Sequence, residues 1–229
     1  MSNKSFKILV IGDACTDVYV FGKCNRLSPE SPVPILRVSR EERRHGMAAN
    51  VARNLEGLGH DIDLICNKEY IEKRRLVDES YFHHLLRVDR EPFVQPVKMK
   101  KFKDTDKLKI YDAFVISDYC KGFIDYDSCQ KIVNIIKKLG KPIFVDSKKK
   151  DISCFKGCII KINESEYKNA TNIPKECEII VTLGKRGAMW NDKIFSSHES
   201  EIDKLFERAN HQSLRMANVC GAGDTFFSG

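Results

Sequence analysis

The segment best suited to chemistry is the last part of the chain, residues 219–229, with the sequence VCGAGDTFFSG. Small residues at 221–223 precede an apolar run that is typical of the start of a helix. Backbone N–H groups at such a start point towards one place and favour an anion there. A carboxylate at that place makes chemical sense if Asp224 takes a proton from a hydroxyl. The amides of Gly221, Ala222 and Gly223 would then hold the phosphoryl group that the hydroxyl attacks. A simple helix cap, with Asp224 favourable in the first turn, is the alternative that this motif alone leaves open.

Two common phosphate-binding motifs do not fit the glycine segments of this chain. A dinucleotide fingerprint requires a third small residue three positions after Gly223, where Phe226 stands. A Walker A loop requires Gly-Lys followed by Ser or Thr, and Gly184-Lys185-Arg186 does not supply it. Phosphate chemistry in this chain therefore has to use another arrangement.

The first half of the chain predicts strands followed by a helix. Residues 7–11 form a short apolar run that ends at Gly12-Asp13, as expected of a buried strand. Strands are also predicted at 17–24 and 33–38, around a proline-rich segment. Because proline cannot lie in a central ladder, these two strands belong at a sheet edge or in a separate small sheet. Residues 46–58 predict a helix that stops at Gly59.

From residue 113 onward the pattern alternates between strand and helix. Strands are predicted at 113–117, 142–146, 158–162 and 177–183, and helices at 126–139 and 164–169. Such units build a parallel sheet with helices on both faces, with ligands bound where the strands end. The polar residues at these strand ends are the site candidates Asp13, Asp118, Asp146, Asn163 and Thr182. Residues 67–109 show no clear period.

Composition and charge limit the classes of protein to consider. A chain of 229 residues with 42% hydrophobic content predicts one domain over residues 1–229. The net charge of +7 is spread over mixed-sign stretches, which favours small anionic substrates over nucleic acid. No apolar run approaches the roughly 18 residues of a membrane span. The apolar stretch at 8–11 is too short for a signal peptide, so we expect a cytoplasmic protein.

The nine cysteines are scattered and predict reduced thiols. Only Cys154 and Cys158 are closely spaced, and no histidine lies near them in the sequence, so a zinc site is not expected. The pair His83-His84 is more simply explained as part of a strand surface.

Residues 221–225 resemble the second signature of the ribokinase-like (PfkB) carbohydrate kinases. In that family the matching aspartate is the catalytic base, here Asp224, and the preceding amides form the anion hole. Residues 11–13 with Asp17 resemble the first-strand motif whose aspartates bind sugar hydroxyls. Residues 46–52 resemble the first signature, in which the asparagine at the position of Asn50 faces the sugar. The resemblance implies an α/β ribokinase-like fold: a central, mostly parallel sheet with helices on both faces, plus a small β lid at about 17–43 and 74–90.

Residues 26–35, 116–122 and 145–148 are similar to the corresponding segments of bacterial heptose 7-phosphate kinases. This resemblance implies ATP-dependent phosphorylation of the anomeric hydroxyl of D-glycero-D-manno-heptose 7-phosphate. The product would be the 1,7-bisphosphate used to make ADP-heptose for the lipopolysaccharide core. A non-catalytic relative that binds a sugar phosphate or a partner protein, and a kinase for another sugar, are the alternatives.

The family resemblance also assigns roles along the chain. The residues implied in substrate binding are Asp13, Asp17, Gly46, Asn50, Arg87, Asp118 and Lys121. The residues implied in nucleotide binding are Asp146, Lys148, Asn163, Glu166, Thr182, Gly184 and Gly187. Asn163 and Glu166 would also organise Mg²⁺ indirectly, and Lys73 to Arg75, Arg87 and Asp89 are further candidates for a distal sugar phosphate. Each residue has a local alternative: Asp13 and Asp17 capping a turn, Asn50 on a half-buried helix, or Asn163 as a helix N-cap.

The chain departs from the family pattern at several places. Met47 replaces the usual second glycine of the first signature, where its side chain is expected to crowd the sugar. Asn218 and Cys220 replace an aspartate and a threonine that help to place K⁺, which weakens any potassium site. The segment between residues 65 and 73 is short, and we expect the C-terminal helices of the family to be absent after Gly229. The lid strands suggest a homodimer, as in many relatives.

Overall fold

The structure is a computed structural model, and it describes residues 5–196. The strands in these residues are β1 Lys7–Gly12, β2 Ala14–Lys23, β3 Arg37–Met47, β4 Asp61–Cys66, β5 Glu72–Asp78, β6 His83–Arg90, β7 Ala113–Asp118, β8 Ile143–Ser147, β9 Ile159–Asn163, β10 Glu178–Thr182, β11 Ala188–Trp190 and β12 Lys193–Phe195. The helices are α1 Ala48–Gly57, α2 Thr105–Leu108, α3 Tyr126–Lys138 and α4 Glu164–Asn169. Residues 197–229 contain the predicted catalytic motif, which therefore lies outside the described residues.

The central sheet has eight strands in the order β12-β11-β10-β9-β8-β7-β1-β4. All neighbours from β10 to β4 pair in parallel, and β11 and β12 add to the edge antiparallel. The strands predicted from 113 onward are confirmed within a few residues at each end. Because the parallel strands share one direction, their carboxyl ends lie along the same edge of the sheet.

The side chains of β1 explain why the sheet is covered on both faces. Ile8 and Val10 pack with Val51 and Leu55 of α1, whereas Leu9 belongs to the large cluster that contains the buried face of α3. A strand directs alternate residues to opposite faces, so a continuous apolar run serves two helix layers. The predicted layers of helix, sheet and helix are confirmed.

Helix α3 has sequence signals at both ends. Asp125 precedes it, and its Oδ1 accepts the backbone N–H of Ser128 at 2.6 Å, which satisfies one of the free amides of the first turn. The helix buries Ile132, Val133 and Ile136 at helical spacing. Gly140 follows it with φ +67°, a conformation that glycine adopts without strain.

A second sheet of four strands, β3-β2-β5-β6, is separate from the central sheet. We call it the lid sheet. Strand β2 pairs antiparallel with β3 and parallel with β5, and β5 pairs antiparallel with β6. The prediction that the strands around the proline-rich segment form a separate small sheet is confirmed. The assignment of residues 1–229 to one domain stays a prediction.

Two boundaries predicted near the lid sheet are wrong. The strand placed at 33–38 begins only at Arg37 and continues to Met47, and Pro34 makes a single bridge to Leu27. The helix placed from Gly46 begins at Ala48, because Gly46 and Met47 still pair with Cys15 and Ala14. Proline keeps the backbone before residue 37 out of the ladder, and the charged β3 sequence hides the strand that follows.

Three expectations on cysteines, metals and membranes can be compared with residues 5–196. The cysteines described there are free thiols, and His83 and His84 lie on the exposed strand β6. No cluster of three or more potential metal-ligating side chains occurs among these residues. None of their helices has the length and apolar character needed to cross a membrane.

We predict that Gly12→Ala destabilises the protein by about 2 to 3 kcal/mol, the usual cost of overpacking a core. A Cβ at residue 12 would lie 1.9 Å from the carbonyl oxygen of Ser117 on the neighbouring strand β7. Urea denaturation measures the effect. The matched control is Gly57→Ala at the end of α1, where a Cβ meets nothing within 4 Å, and it should raise stability by about 0.5 to 1 kcal/mol. Equal stability of the two variants would contradict the close approach of β1 and β7.

Candidate functional site

The candidate site lies where the carboxyl ends of the central strands face the lid sheet. In register, Gly12 pairs with Ser117, Ser117 with Asp146, and Asp118 with Ser147. Thr182 pairs with Asn163 further along the same edge. The polar residues predicted at strand ends are therefore brought to one edge of the sheet.

Asp13 is fully buried between β1 and β2, and it holds the loop after β7. Its Oδ2 accepts the backbone N–H groups of Tyr119 at 2.8 Å and Lys121 at 3.1 Å, and its Oδ1 accepts that of Phe123 at 3.3 Å. Burial raises the pKa of the Asp13 carboxyl, although these three amides act against the shift. Its contacts make Asp13 an anchor of the loop, and its assignment to a sugar hydroxyl stays a prediction.

Asp118 ends β7 and is also fully buried. Its Oδ2 accepts the hydroxyl of Ser147 at 2.9 Å and lies 2.8 Å from Nζ of Lys149. The same ammonium donates to the carbonyl of Ile124 at 2.8 Å. Burial opposes the charged form of Lys149, but the ion pair with Asp118 outweighs it and raises the pKa of Lys149. Asp118 and Lys149 thus fix the far end of the loop that Asp13 holds.

Asp146 and Lys161 form a buried ion pair on neighbouring strands, with Nζ and Oδ2 2.7 Å apart and side chains 2% and 6% exposed. A buried pair of this kind costs desolvation and is retained only with good geometry. The contact joins the ends of β8 and β9 inside the sheet. The predicted role of Asp146 in nucleotide binding stays a prediction.

Asn163 and Glu166 form a capping box at the start of α4. Oδ1 of Asn163 accepts the Glu166 amide at 2.8 Å, and Oε2 of Glu166 accepts the Asn163 amide at 2.8 Å. The other Glu166 oxygen is paired with the ammonium of Lys148. The N-cap alternative for Asn163 is therefore present in the structure. The capping box and the ion pair together hold the carboxylate of Glu166 and the ammonium of Lys148 at the edge of the sheet.

Thr182 and the turn after it complete this edge. Gly184 and Gly187 have φ of +61° and +92°, and the Leu183 amide donates to the carbonyl of Gly187 at 2.8 Å. Residues with a Cβ adopt these conformations at a cost, so both glycines are needed for the turn. Arg186 is paired with Glu164 at 2.5 Å and is mostly exposed.

On the lid sheet, Asp17 is held by Arg75. Oδ1 of Asp17 lies 2.5 Å from Nη1 of Arg75, and the two side chains are 18% and 8% exposed. Gly46 lies beside them on β3, where a Cβ would come within 2.3 Å of Oδ2 of Asp17. Glycine at 46 thus leaves the space that the Asp17 carboxylate occupies. The structure brings Asp17 and Gly46 together, as their assignment to one site requires.

Three other predicted substrate residues, Arg87, Lys121 and Asn50, lie on separate elements. Arg87 on β6 is opposite Arg75 and binds Asp89 through Nε at 2.9 Å and Nη2 at 3.0 Å. Lys121 follows β7, and its ammonium lies 2.6 Å from Glu91. Asn50 is in the first turn of α1, directly after the lid strand β3.

Met47 has φ +57° and ψ −135°, a conformation in which glycine is favoured, and it is nearly buried within the large core cluster. The backbone thus keeps the shape expected for the usual glycine. Whether its side chain crowds a sugar stays a prediction. Gly221, Ala222, Gly223 and Asp224, together with Asn218 and Cys220, lie outside the described residues.

Several residues that build this site were not predicted from the sequence: Lys149, Lys161 and Asn67. Arg75 was predicted only among the further candidates for a distal sugar phosphate. Asn67 exchanges hydrogen bonds with Ala14 at 2.7 and 3.1 Å and donates to Glu69 at 2.7 Å, which fixes the start of β2. A lysine or asparagine in a charged segment gives no signal of burial on its own. Among these residues, Lys161 alone had a usable signal, since it lies inside a strand between Ile160 and Ile162.

Comparison with known proteins gives relatives over nearly the whole chain. The bifunctional protein HldE of Helicobacter pylori (strain HPAG1) is 34% identical over 273 aligned residues, which cover 96% of this chain and 56% of that protein. HldE of Haemophilus influenzae (strain PittEE) is 30% identical over 98% of this chain and 55% of that protein. The chain thus spans about half the length of the curated relatives it matches. No protein-family model matches the chain.

Solved structures share the fold at low sequence identity. Arabidopsis thaliana ribokinase, solved with ribose and ATP, superposes with a TM-score of 0.64 and 14% identity, over 98% of this chain and 84% of that chain. The tetrameric inhibited form of Escherichia coli phosphofructokinase-2 gives a TM-score of 0.60 and 13% identity, over 90% and 89% of the two chains. The predicted ribokinase-like fold is confirmed.

We predict that Asp13→Asn destabilises the protein by about 1 to 3 kcal/mol at pH 7, because an NH₂ donor replaces one of the two oxygens that accept the three loop amides. The difference in stability between the wild-type chain and Asp13→Asn should grow as pH falls from 7 towards 4. Asp13 binds its proton more tightly in the folded state, so its contribution is greatest below the unfolded pKa and is lost as pH rises through the folded pKa. Urea denaturation at several pH values measures both effects. Asp106→Asn, at a side chain that is 83% exposed, is the control and should change stability by less than about 0.5 kcal/mol. A deficit no larger than that of the control would show that Asp13 does not hold the loop.

Proposed function

The chain is a ribokinase-like relative of the HldE proteins, and from this premise we propose that it is an ATP-dependent sugar kinase. The relation to HldE and the shared fold support carbohydrate kinase chemistry. The observation that carries the proposal is the placement of Asp17 and its partner Arg75 on the lid sheet, across from a row of polar strand ends. A sugar between the two sheets would meet hydroxyl-binding groups on one side and phosphate-binding groups on the other.

As substrate we propose D-glycero-D-manno-heptose 7-phosphate, phosphorylated at the anomeric hydroxyl to the 1,7-bisphosphate. The similarity of residues 26–35, 116–122 and 145–148 to heptose 7-phosphate kinases supports this choice, as do the arginines and lysines on the lid face around Asp17. Such a reaction supplies ADP-heptose synthesis for the lipopolysaccharide core and takes place in the cytoplasm. A kinase for another sugar would use the same chemistry with a different pocket.

Asp17 would orient the sugar, because its Oδ1 is fixed by Arg75 while Oδ2 faces the space left by Gly46. A carboxylate oxygen accepts sugar hydroxyls through charge-assisted hydrogen bonds. Asn50, in the first turn of the helix that follows Gly46 and Met47, would add an amide to the same pocket. A geometry fixed in advance lowers the entropy cost of reaching the reactive arrangement.

In the transfer step, Asp224 would take the proton of the anomeric hydroxyl. The oxygen then forms a bond to the terminal phosphorus of ATP while the bond from that phosphorus to the bridging oxygen breaks, and ADP leaves with the electron pair. The amides of Gly221, Ala222 and Gly223 would stabilise the charge on the transferring group, with one such donor worth about 3 to 4 kcal/mol. The roles of these four residues are proposed from the sequence motif alone, because the residues lie outside the part of the chain that the structure describes.

ATP would lie along the ends of β8, β9 and β10, near Lys148, Asn163, Glu166, Thr182 and the Gly184–Gly187 turn. Residues 5–196 contain no cage of three ligating side chains, but Mg²⁺ that arrives with phosphates keeps its waters and needs only one or two carboxylates. Glu166, held in place by its capping box with Asn163, would organise Mg²⁺ indirectly. When bound, magnesium neutralises charge on the phosphates.

The face of the lid sheet that points away from Asp17 carries the exposed side chains Leu86 and Val88. A homodimer formed through the lid strands would cover them. We keep this dimer as a prediction, beside the interpretation of the chain as a non-catalytic binder of sugar phosphates.

We predict that the purified chain consumes ATP only when heptose 7-phosphate is present, and that Asp224→Asn lowers the rate by about 10²- to 10⁴-fold through loss of the base. A coupled assay for ADP measures the turnover. Asp192→Asn, in the exposed turn between β11 and β12, is the control and should retain the full rate. Turnover that survives Asp224→Asn would exclude this aspartate as the base. A folded wild-type chain without turnover would favour the non-catalytic interpretation.

We predict that Gly46→Ala weakens binding of heptose 7-phosphate by about 10- to 100-fold, the cost of losing a charged hydrogen bond. The added Cβ would displace the Asp17 carboxylate, so Asp17→Asn should give a similar loss while ATP affinity is unchanged. Titration calorimetry measures both ligands. Gly57→Ala is the control for the added methyl group. If Asp17→Asn binds the sugar as tightly as the wild-type chain, Asp17 does not orient the substrate.

A further inference from the structure

The first turn of α3 carries one of two buried thiols that lie against each other. Cys129 in this turn and Cys154 in the short 3₁₀ helix Ser153–Phe155 are 0% and 2% exposed, and both belong to the large core cluster. The two thiols are hydrogen-bonded to each other. A pair of thiols in contact meets the first geometric requirement of a disulfide, which an isolated buried thiol does not.

The surroundings make Cys154 the more reactive of the two thiols. The hydrogen bond from Cys129 lowers the pKa of the Cys154 thiol, and the positive charge of Lys149 acts in the same direction, although burial and Asp118 oppose them. The same hydrogen bond, together with burial, raises the pKa of the Cys129 thiol. Because the thiolate is the nucleophilic form of cysteine, Cys154 is suited to react first and Cys129 to react with the product.

A contact at the surface covers the two thiols. Tyr126 lies one helical turn before Cys129, and its hydroxyl is hydrogen-bonded to that of Ser153, the neighbour of Cys154. Tyr126 is 39% exposed, and Ser153 is half-buried. A molecule as small as hydrogen peroxide therefore has a short path to the thiols once this contact opens. Such an opening is local and leaves the rest of the core in place.

The thiol pair also lies between two loops of the candidate site. The loop after β7 leads directly into α3, and its end is held by Lys149, whose ammonium binds Asp118 at 2.8 Å and the carbonyl of Ile124 at 2.8 Å. Cys154 follows Lys149 on the segment that leaves β8. A covalent bond between Cys129 and Cys154 would thus tie the segment after β7 to the segment after β8.

We propose that Cys129 and Cys154 are a redox modification site, at which a peroxide forms a reversible disulfide that fixes these two strand-end loops. The Cys154 thiolate forms an S–O bond with one peroxide oxygen as the O–O bond breaks, which gives a sulfenic acid and hydroxide. The Cys129 thiolate then forms the S–S bond while the S–O bond breaks and a second hydroxide leaves. The two thiol protons convert both hydroxides into water, so the dithiol has given two electrons to the peroxide. A dithiol reductant reverses the modification.

The test treats the folded full chain with hydrogen peroxide and maps the product by peptide mass spectrometry. The expected product has lost two hydrogen atoms and links Cys129 to Cys154, and dithiothreitol restores the thiols. Because the link closes a loop of about 25 residues, Tm should rise by about 5 to 10 °C. Hydrogen exchange of the amides at 119–124 should slow. Cys129→Ala should abolish both changes, whereas Cys120→Ser, which removes the exposed thiol of the same loop, is the matched control and should retain them.

Tyr126→Phe tests the contact that covers the thiols. Loss of its hydrogen bond to Ser153 should speed disulfide formation by about 2- to 10-fold, because the contact then opens more often. Tyr70→Phe is the matched control, since it removes a hydroxyl that is bonded to Glu72 on the lid sheet. It should leave the rate of disulfide formation unchanged.

Several results would overturn the inference. A disulfide that joins other cysteines would do so, as would sulfinic acid at Cys154 without a disulfide. A link between Cys129 and Cys154 that changes neither Tm nor amide exchange would show that it does not fix the loops. If Cys129→Ala does not fold, the product mapped in the wild-type chain still decides the pairing. Because no step uses ATP or a sugar, failure of the proposed kinase function would leave this inference standing.

Discussion

The buried residue Asp13 joins four parts of the molecule at one point, through its carboxylate and its backbone. It follows the last residue of β1, precedes the lid strand β2, and accepts three amides of the loop after β7. Its own carbonyl accepts the amide of Ala48 at 2.9 Å, where α1 begins, and its amide donates to Ser117 at 3.1 Å. A buried acceptor with this many donors fixes backbone directions strongly, because each lost bond leaves a buried polar group unpaired. The orientation of the lid, the loop and the first helix towards the strand ends therefore depends on this residue.

The two sheets are stabilised by different interactions. The central sheet is an apolar core covered by helices on both faces. The lid sheet has only a small apolar cluster and depends more on charge pairs: Arg75 with Asp17 is largely buried, whereas Arg74 with Glu41 is about one-third exposed. Exposed pairs add little stability one by one, but in register they fix which strand lies opposite which. A charged sheet also presents arginine and lysine to a bound anion, so the forces that order the lid also suit it to a phosphorylated sugar.

The sequence predicts β1 and β7 to β10 of the central sheet well, because buried parallel strands are short apolar runs with polar ends, whereas β4, β11 and β12 were not predicted. It predicts the lid poorly: β3 has the sequence RVSREERRHGM, with no apolar alternation, and is ordered by charges on other strands. The polar residues at the strand ends were predicted from the sequence, but the side chains that pair with them were not. Lys149 and Lys161 contact Asp118 and Asp146 only after separate strands come together. Asn163 was assigned to magnesium from a four-residue pattern that equally describes a capping box, and the structure shows the box.

The central claim is that this fold transfers the terminal phosphate of ATP to the anomeric oxygen of a sugar that already carries a phosphate. Phosphorus-31 NMR of the chain with ATP, Mg²⁺ and heptose 7-phosphate tests it directly, because it identifies the product. We expect a new resonance from a phosphate on the anomeric carbon, appearing with ADP in equal amounts beside the unchanged signal of the 7-phosphate. Inorganic phosphate as the only new signal, or an unchanged spectrum with folded protein, would contradict it.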